Sequence, residues 1–233
     1  MDQLYTKDQN EKTIIGILFI LALLFVGTFY GASILYTSMG SSVSRMSLAV
    51  ISRIFYWLCL FCALMYAVKI EKRSMLLQRD QRLSVLVFLL TLALIFIATF
   101  VSGMIVQLIT ILTGTYKISP RLLEMLKLFR ENKFLLFLTA ITAGVTEELL
   151  MRGYLQPRLQ ALFKSPHAAI IVTSLLFGFL HLGYGTIGNI LGPIAIGLIY
   201  GYYYWQFKNI KVLIVSHILW DLIVIWIWMV KFH

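Results

Sequence analysis

The 233-residue sequence has few charged residues, and only ten of them are acidic. Asp, Glu, Lys and Arg together make up 13% of it, against about 25% in an ordinary soluble domain. Hydrophobic residues make up 60%, and the mean hydropathy is +0.88. This balance excludes a soluble globular domain and predicts an integral membrane protein. Uncharged runs at 13–44, 83–116 and 165–207 are each long enough for the roughly 20 residues that a helix needs to cross a bilayer.

Cysteine is also scarce. Cys59 and Cys62 form a C-x-x-C pair, and no second pair completes a four-cysteine zinc site. Both lie in the apolar run 54–68, where a free cysteine packs as a small hydrophobic residue. The pattern therefore indicates core packing rather than a metal site.

Basic residues outnumber acidic ones by 20 to ten, which gives a net charge of +10. They are spread over short loops between apolar runs, and this favours membrane topology over nucleic-acid binding. Eleven lie on the side of the N-terminus and eight on the other side, with Arg152 inside an apolar run. By the positive-inside rule, we expect a multi-pass protein of the cell membrane with a cytoplasmic N-terminus.

The hydrophobic runs predict an all-α fold, a polytopic transmembrane helical bundle, because lipid offers no hydrogen-bond partners to the backbone. A re-entrant segment near 103–114 would raise the number of spans from seven to eight. Residues 120–130 place Leu122, Met125, Leu126 and Phe129 on one helical face, which is typical of an interfacial amphipathic helix. Within one integrated membrane domain, we divide the chain into 1–130, the N-terminal helices with this interfacial helix, and 131–233, a C-terminal helical core. The seven predicted spans are about 13–36, 47–68, 84–113, 134–156, 168–182, 187–205 and 212–230.

A charged cluster interrupts the fourth predicted span. Glu147, Glu148 and Arg152 lie in T-E-E-L-L-M-R, where each charge costs roughly 2.5–3.5 kcal/mol on insertion scales. Consecutive helix positions point about 100° apart, so the two glutamates face different surroundings. Glu148 and Arg152 are four residues apart in the favourable order for an ion pair. Glu147 is then the carboxylate available to a substrate, a water or a metal.

Two of the four histidines also lie in apolar spans. His217 precedes Asp221 by four residues, so both side chains lie on the same helical face. His181 closes the segment F-G-F-L-H, with Phe177 one turn before it. At about 1.5 Å of rise per residue, these three polar groups and Glu147 all fall within roughly 8 Å of the midplane of the bilayer core. The sequence therefore predicts one shared site on the fourth, fifth and seventh spans.

Small residues in the sixth span are spaced for close helix packing. Gly188 and Gly192 form one G-x-x-x-G pair, and Gly197 and Gly201 form another. Pro193 removes a backbone donor within the span and predicts a kink. A kinked helix beside the site would open it to substrate.

Four motifs occur in order over about 75 residues: E-E-x-x-x-R at 147–152, F-x-x-x-H at 177–181, G-x-x-x-G at 197–201 and H-x-x-x-D at 217–221. Together they resemble the CAAX protease and bacteriocin-processing (CPBP, or Abi) family of intramembrane endopeptidases. The resemblance covers the C-terminal half, so that 131–233 is expected to be the catalytic core. The small chain, with no fused domain, is similar to the bacterial branch.

The resemblance implies a protease, similar to CAAX prenyl protease 2, that hydrolyses peptide bonds in a chamber opening toward the cytoplasm. Its expected partners are a peptide or protein substrate in the membrane and the lipid bilayer. Bacterial members are linked to bacteriocin self-immunity and to peptide processing.

The resemblance also implies a role for each motif residue. Glu147 would be the general base that activates water, and His181 would help to hold that water. His217 and Asp221 would support the oxyanion of the tetrahedral intermediate. The remaining motif residues would be structural, with Glu148 and Arg152 as an ion pair and Phe177, Gly197 and Gly201 as packing residues beside the site.

Asp221 stands where prenyl-protein-processing members carry Asn. An ionised Asp cannot donate a hydrogen bond to an oxyanion, so Asp221 must be protonated, orient His217 or bind a metal. Glu147, His181, His217 and Asp221 are candidate zinc ligands, with a zinc-bound water as nucleophile, which would fit the metalloprotease label often given to the family. A metal-free glutamate mechanism fits the same residues.

Two other functions fit parts of the pattern. A non-catalytic immunity or partner-binding membrane protein would use the same bundle without chemistry. An ion-coupled transporter also places carboxylates and histidines at the midplane beside a broken helix. The lack of an internal repeat and the small number of spans argue against the transporter.

Overall fold

The computed structural model describes residues 7–39, 44–78 and 80–232, and its secondary structure there is helical, without strands. The all-α prediction is confirmed. The helices are α1 (Lys7–Phe29), α2 (Gly31–Met39), α3 (Arg45–Met65), α4 (Val85–Leu112), α5 (Pro120–Glu131), α6 (Lys133–Glu148), α7 (Gln156–Phe163), α8 (Pro166–Leu180), α9 (Gly188–Phe207) and α10 (Ile210–Lys231). Short π-helices, Tyr66–Ile70 and Leu149–Leu155, extend α3 and join α6 to α7.

Helix starts follow from single residues that the sequence places before each apolar run. Ser84, Ser119 and Asn132 each accept a hydrogen bond from the backbone N–H three residues later, and so cap α4, α5 and α6. Ser165 and Asn209 cap α8 and α10 in the same way. These caps satisfy backbone donors that lipid could not.

Six helical segments in the described part of the chain are long and apolar enough to cross a membrane: α1, α3 with its π-helix, α4, α6 through α7, α8 and α10. A polytopic bundle is therefore confirmed. The remaining predicted span corresponds to α9, whose 20 residues extend about 30 Å but include several Gly and Tyr that lower its apolarity. Helix α4 is continuous to Leu112, so the region 103–114 does not form a re-entrant segment.

The first predicted span, 13–36, differs from the structure at both ends. Helix α1 begins six residues earlier, because a polar turn precedes the apolar run and Lys12 forms an exposed ion pair with Asp8 at 2.5 Å. It ends at Phe29, and α2 follows after Tyr30. The backbone bond from Tyr30 N–H to the Val26 carbonyl continues the helical pattern up to this join.

The helices surround a central cavity. Going around it, each helix contacts the next in the order α1, α3, α6, α10, α4, α9 and α8, and α8 contacts α1 again. The amphipathic helix predicted at 120–130 forms α5, which crosses one end of the bundle against α6 and α10. It buries Leu126 and Phe129 against Leu136 of α6 and Met229 of α10. Apolar burial thus fixes α5 across that end.

Glycine sets the distance between α9 and its neighbours. A Cβ built on Gly197 would lie 2.9 Å from the Cα of Ser174 in α8, and one on Gly201 would lie 3.0 Å from Oε1 of Gln156. In contrast, a Cβ on Gly192 would meet nothing within 4 Å. A Cβ on Gly188 would make one ordinary contact, at 3.9 Å from Cγ2 of Thr110. The expectation of close packing at Gly188 and Gly192 is therefore wrong, because both glycines line the cavity.

We expect Gly197→Ala to lower the melting temperature of the purified protein, because the new methyl group would press on the backbone of α8. Overpacking of this kind costs about 1–3 kcal/mol. Gly192→Ala, the same change five residues earlier in the same helix, should leave the melting temperature unchanged or raise it. Equal melting temperatures for the two variants in thermal denaturation would contradict the packing described here.

Candidate active site

A cavity of about 850 Å³ lies inside the ring of helices. At its inner end are the buried side chains of Leu150 and Met151, in the π-helix that follows α6. At its outer end are exposed Lys117, Arg121 and Lys231. Such a volume is typical of a ligand-binding site, and its outer end is accessible from the side of the bundle where α5 lies.

The outer end of the cavity is on the opposite side of the bundle from the N-terminus. The start of α1 lies beside the end of α3, since the Tyr66 hydroxyl donates to the Lys12 carbonyl at 2.8 Å. The cavity instead contacts the far half of α1, from Leu24 to Thr28. A cytoplasmic N-terminus and a chamber opening to the cytoplasm therefore exclude each other in this fold, because a membrane passage separates the two.

Glu147, His181, His217 and Asp221 all line the cavity. The adjacent glutamates of α6 point to different surroundings. The Glu147 side chain is 21% exposed and faces the cavity, whereas that of Glu148 is fully buried. The 100° rotation between consecutive helical residues produces this division.

Glu148 forms an ion pair with Arg152, whose Nη1 lies 3.1 Å from Oε1 of the carboxylate. Arg152 Nη2 donates to the Gly197 carbonyl of α9 at 3.3 Å. The guanidinium also lies over the rings of Phe177 and Tyr200, at 5.1 and 5.6 Å from the ring centroids. The charge is thus held between α6, α8 and α9.

His217 connects this buried pair to the cavity. Its Nδ1 lies 2.8 Å from Oε1 of Glu148, and because an ionised carboxylate only accepts, Nδ1–H is the donor. Its Nε2 lies 3.9 Å from Oε2 of Glu147 and 3.8 Å from Oδ2 of Asp221. One imidazole therefore has a buried carboxylate on one side and two cavity carboxylates on the other.

The contact between Glu148 and His217 was not anticipated from the sequence. The two residues are 69 positions apart on α6 and α10, and the i to i+4 pattern explained Glu148 through Arg152 alone. Gly144 shows how the helices meet: a Cβ there would lie 3.0 Å from the backbone N of Ile218. Gly144, which lies one helical turn before Glu148, is the one sequence feature that could have indicated this contact.

His181 has a separate environment within the same cavity. It follows the last residue of α8, and its Nδ1 lies 2.7 Å from the Phe177 carbonyl, to which it donates. Its ring stacks on Tyr184, with centroids 5.9 Å apart. In the described residues, it forms no hydrogen bond or ion pair with Glu147, His217 or Asp221.

The four cavity residues do not fit a metal site. Among residues 7–39, 44–78 and 80–232, no group of three or more His, Cys, Asp or Glu side chains has an arrangement that could hold a metal ion. Each histidine donates its Nδ1–H to another acceptor, so Nε2 is the ring nitrogen that each can present to the cavity. The arrangement supports acid–base chemistry by side chains and water.

Arg158 and Arg53, both included in the count for the positive-inside rule, contact other segments of the chain. Arg158 in α7 is fully buried, and its Nη2 lies 2.5 Å from Oε2 of Glu71. The Tyr154 hydroxyl donates to the same carboxylate at 3.2 Å. Arg53 in α3 lines the cavity. Charge alone could not distinguish these positions from solvated loops.

The bundle and its buried carboxylates and histidines define a polytopic membrane protein with a polar site inside the membrane. Residues 130–223 match the model of a family described as Rce1-like, type II CAAX prenyl endopeptidase. The resemblance carried by the four motifs, all of which lie within this segment, is confirmed. No curated protein and no solved structure matches the chain. The family supports a CAAX-type intramembrane protease with peptide substrates in the membrane.

We expect Glu148→Gln to destabilise the protein strongly, because it leaves the Arg152 guanidinium buried without a counter-charge. Removing one partner of a buried pair costs about 3–5 kcal/mol. Asp8→Asn removes the exposed i, i+4 pair of α1 and should cost less than about 1 kcal/mol. Thermal denaturation of both variants tests this, and a Glu148→Gln melting temperature close to that of Asp8→Asn would contradict it.

Proposed function

We propose that this protein is an intramembrane endopeptidase in which Glu147 activates a water molecule for attack on a peptide bond. The observation that carries the proposal is the position of His217 Nε2, which lies 3.9 Å from Glu147 and 3.8 Å from Asp221 inside the cavity. These gaps are too long for direct hydrogen bonds, and a water can bridge them. The match of residues 130–223 to an endopeptidase family supports the same chemistry.

In the proposed reaction, the Glu147 carboxylate takes a proton from the water as its oxygen attacks the scissile carbonyl carbon. A C–O bond forms, and the carbonyl electron pair moves onto the oxygen to give an oxyanion. The C–N bond then breaks, and Glu147 returns its proton to the leaving amine nitrogen. The products are a peptide with a new carboxyl end and one with a new amino end.

His217 is proposed to stabilise the oxyanion. Its Nδ1–H is held by Glu148, which fixes the ring orientation much as the carboxylate of a catalytic triad does. In the imidazolium form, Nε2–H then points into the cavity as a donor, and Glu147 and Asp221 offset its charge. Glu148 therefore acts as a positioning residue for His217 as well as a partner of Arg152.

Asp221 and His181 are assigned supporting roles. An ionised Asp221, 3.8 Å from His217 Nε2, would orient the imidazolium and the water. Of the three roles expected for Asp221, this one requires neither a protonated carboxyl group nor a metal. His181 donates Nδ1–H to the Phe177 carbonyl, so its Nε2 is free to accept a hydrogen bond from the water or the substrate.

For the cellular process, we propose peptide maturation or bacteriocin self-immunity. The support is the resemblance of the motifs to the CPBP family, together with a cavity large enough to hold several residues of an extended peptide. In either process the substrate would reach the site through the membrane or the adjacent aqueous layer.

We expect Glu147→Gln to reduce peptide cleavage by about 100-fold or more, because the amide keeps the size of the side chain and removes the base. The variant should insert and melt like the wild type, since the side chain is partly exposed in the cavity. Glu131→Gln, an exposed change in α5 outside the cavity, is the matched control. Wild-type turnover by purified Glu147→Gln in proteoliposomes would exclude Glu147 as the base.

We expect cleavage to survive treatment with a strong chelator, because the proposed nucleophile is activated by a carboxylate. Elemental analysis of the active purified protein should find less than one equivalent of zinc per chain. A chelator-induced loss of turnover that zinc restores would instead show that a metal participates. Dialysis without chelator controls for loss of activity during handling.

A further inference from the structure

Arg53 is a cation in the cavity wall without an acidic partner. It lies in α3 and is partly buried, and its Nε donates to Oγ1 of Thr139 in α6 at 3.1 Å. Its Nη1 donates to the Ala49 carbonyl at 2.9 Å and to Oγ of Ser52 at 2.8 Å. No carboxylate oxygen of the residues described lies within 4.0 Å of it, and Nη2 donates to none of them.

A charged side chain at membrane depth is costly unless it is paired, so an unpaired one indicates a functional contact. The three hydrogen bonds hold the guanidinium in place and leave Nη2 directed to no protein group. Arg53 is therefore prepared to bind an anion that enters the cavity. A guanidinium is suited to carboxylate oxygens, with which it forms charge-assisted hydrogen bonds.

We propose that Arg53 forms a subsite that binds a carboxylate of the peptide substrate, at a fixed distance from the bond to be cleaved. This rests on the proposed endopeptidase function. Thr139, which anchors Arg53, precedes Glu147 by eight residues of α6, or about 12 Å. An extended peptide advances about 3.3 Å per residue, so the carboxylate lies about three or four residues from the scissile bond. It is supplied by an acidic side chain or by the C-terminus of the substrate.

The depth of Arg53 favours a peptide over a lipid headgroup as the source of the anion. Helix α3 begins at Arg45, so Arg53 lies eight residues, or about 12 Å, along the helix from its start. Lipid phosphates lie outside the hydrocarbon core, whereas a peptide bound at Glu147 must pass through this part of the cavity. Binding of an anionic lipid by Arg53 is the competing outcome of the experiment.

The experiment compares cleavage of matched peptides by the purified full-length protein in neutral detergent. Mass spectrometry first locates the cleaved bond. Peptides with Glu or Gln three and four residues from that bond are then compared, each with a free or an amidated C-terminus. We expect the carboxylate-bearing peptide to have a kcat/KM higher by about tenfold to a hundredfold, mainly through KM. In Arg53→Gln this ratio should fall to about one.

Two further variants separate recognition from folding. Arg53→Lys keeps the charge but loses the planar fork, so the ratio should be intermediate. Arg130→Gln, in α5 at the same end of the bundle and outside the cavity, should keep the wild-type ratio. A preference for Glu over Gln identifies an acidic side chain as the source of the carboxylate. A preference for the free over the amidated C-terminus identifies the C-terminal carboxylate.

Each other outcome contradicts the subsite. If the protein cleaves all peptides equally well, or if Arg53→Gln keeps the preference, Arg53 does not read a carboxylate. If added anionic lipid changes cleavage of every peptide equally, and only when Arg53 is present, the anion is a lipid phosphate. If no peptide is cleaved under any condition, the endopeptidase function itself fails, and the subsite fails with it.

Discussion

The site depends on the hydrogen bonds that Arg152 and His217 both donate to the carboxylate of Glu148. One oxygen accepts from Arg152 at 3.1 Å and from His217 at 2.8 Å, in a location without solvent exposure. A buried carboxylate costs several kcal/mol unless it is paired and hydrogen-bonded, so the three side chains must be assembled together. Since they come from α6, the following π-helix and α10, their pairing fixes how these elements meet. The orientation of the imidazole toward Glu147 and Asp221 follows from this constraint.

Glycine makes that assembly sterically feasible. Gly197 lets α9 approach α8 to backbone contact, and its carbonyl accepts from Arg152. Gly144 allows an equally close approach of α6 to α10, beside His217. With a side chain at either position the helices would move apart, and the hydrogen bonds to the shared carboxylate and to the guanidinium would lengthen. Packing and electrostatics are thus coupled at the same residues.

A second buried pair supports the segment that carries Arg152. Arg158 and Tyr154 both bind Glu71, which lies in the connection after α3. The pair ties the end of the π-helix to the N-terminal half of the chain. Because Glu71 lies outside the matched segment 130–223, the N-terminal half contributes to the geometry of the C-terminal helical core as well as to the cavity wall. Arg53, from the same half, adds a charge to that wall.

Sequence alone is enough to predict the all-α membrane fold, since long uncharged runs in lipid must be helical, and it places the polar residues of three spans at the same depth. Local spacing also paired Glu148 with Arg152 and His217 with Asp221. It could not determine that Glu148 binds His217, that His181 donates to its own helix, or that Gly192 faces open space. It also missed the positions of Arg53 and Arg158. These depend on the rotation and separation of packed helices, which helical periodicity leaves undetermined because it describes one helix at a time.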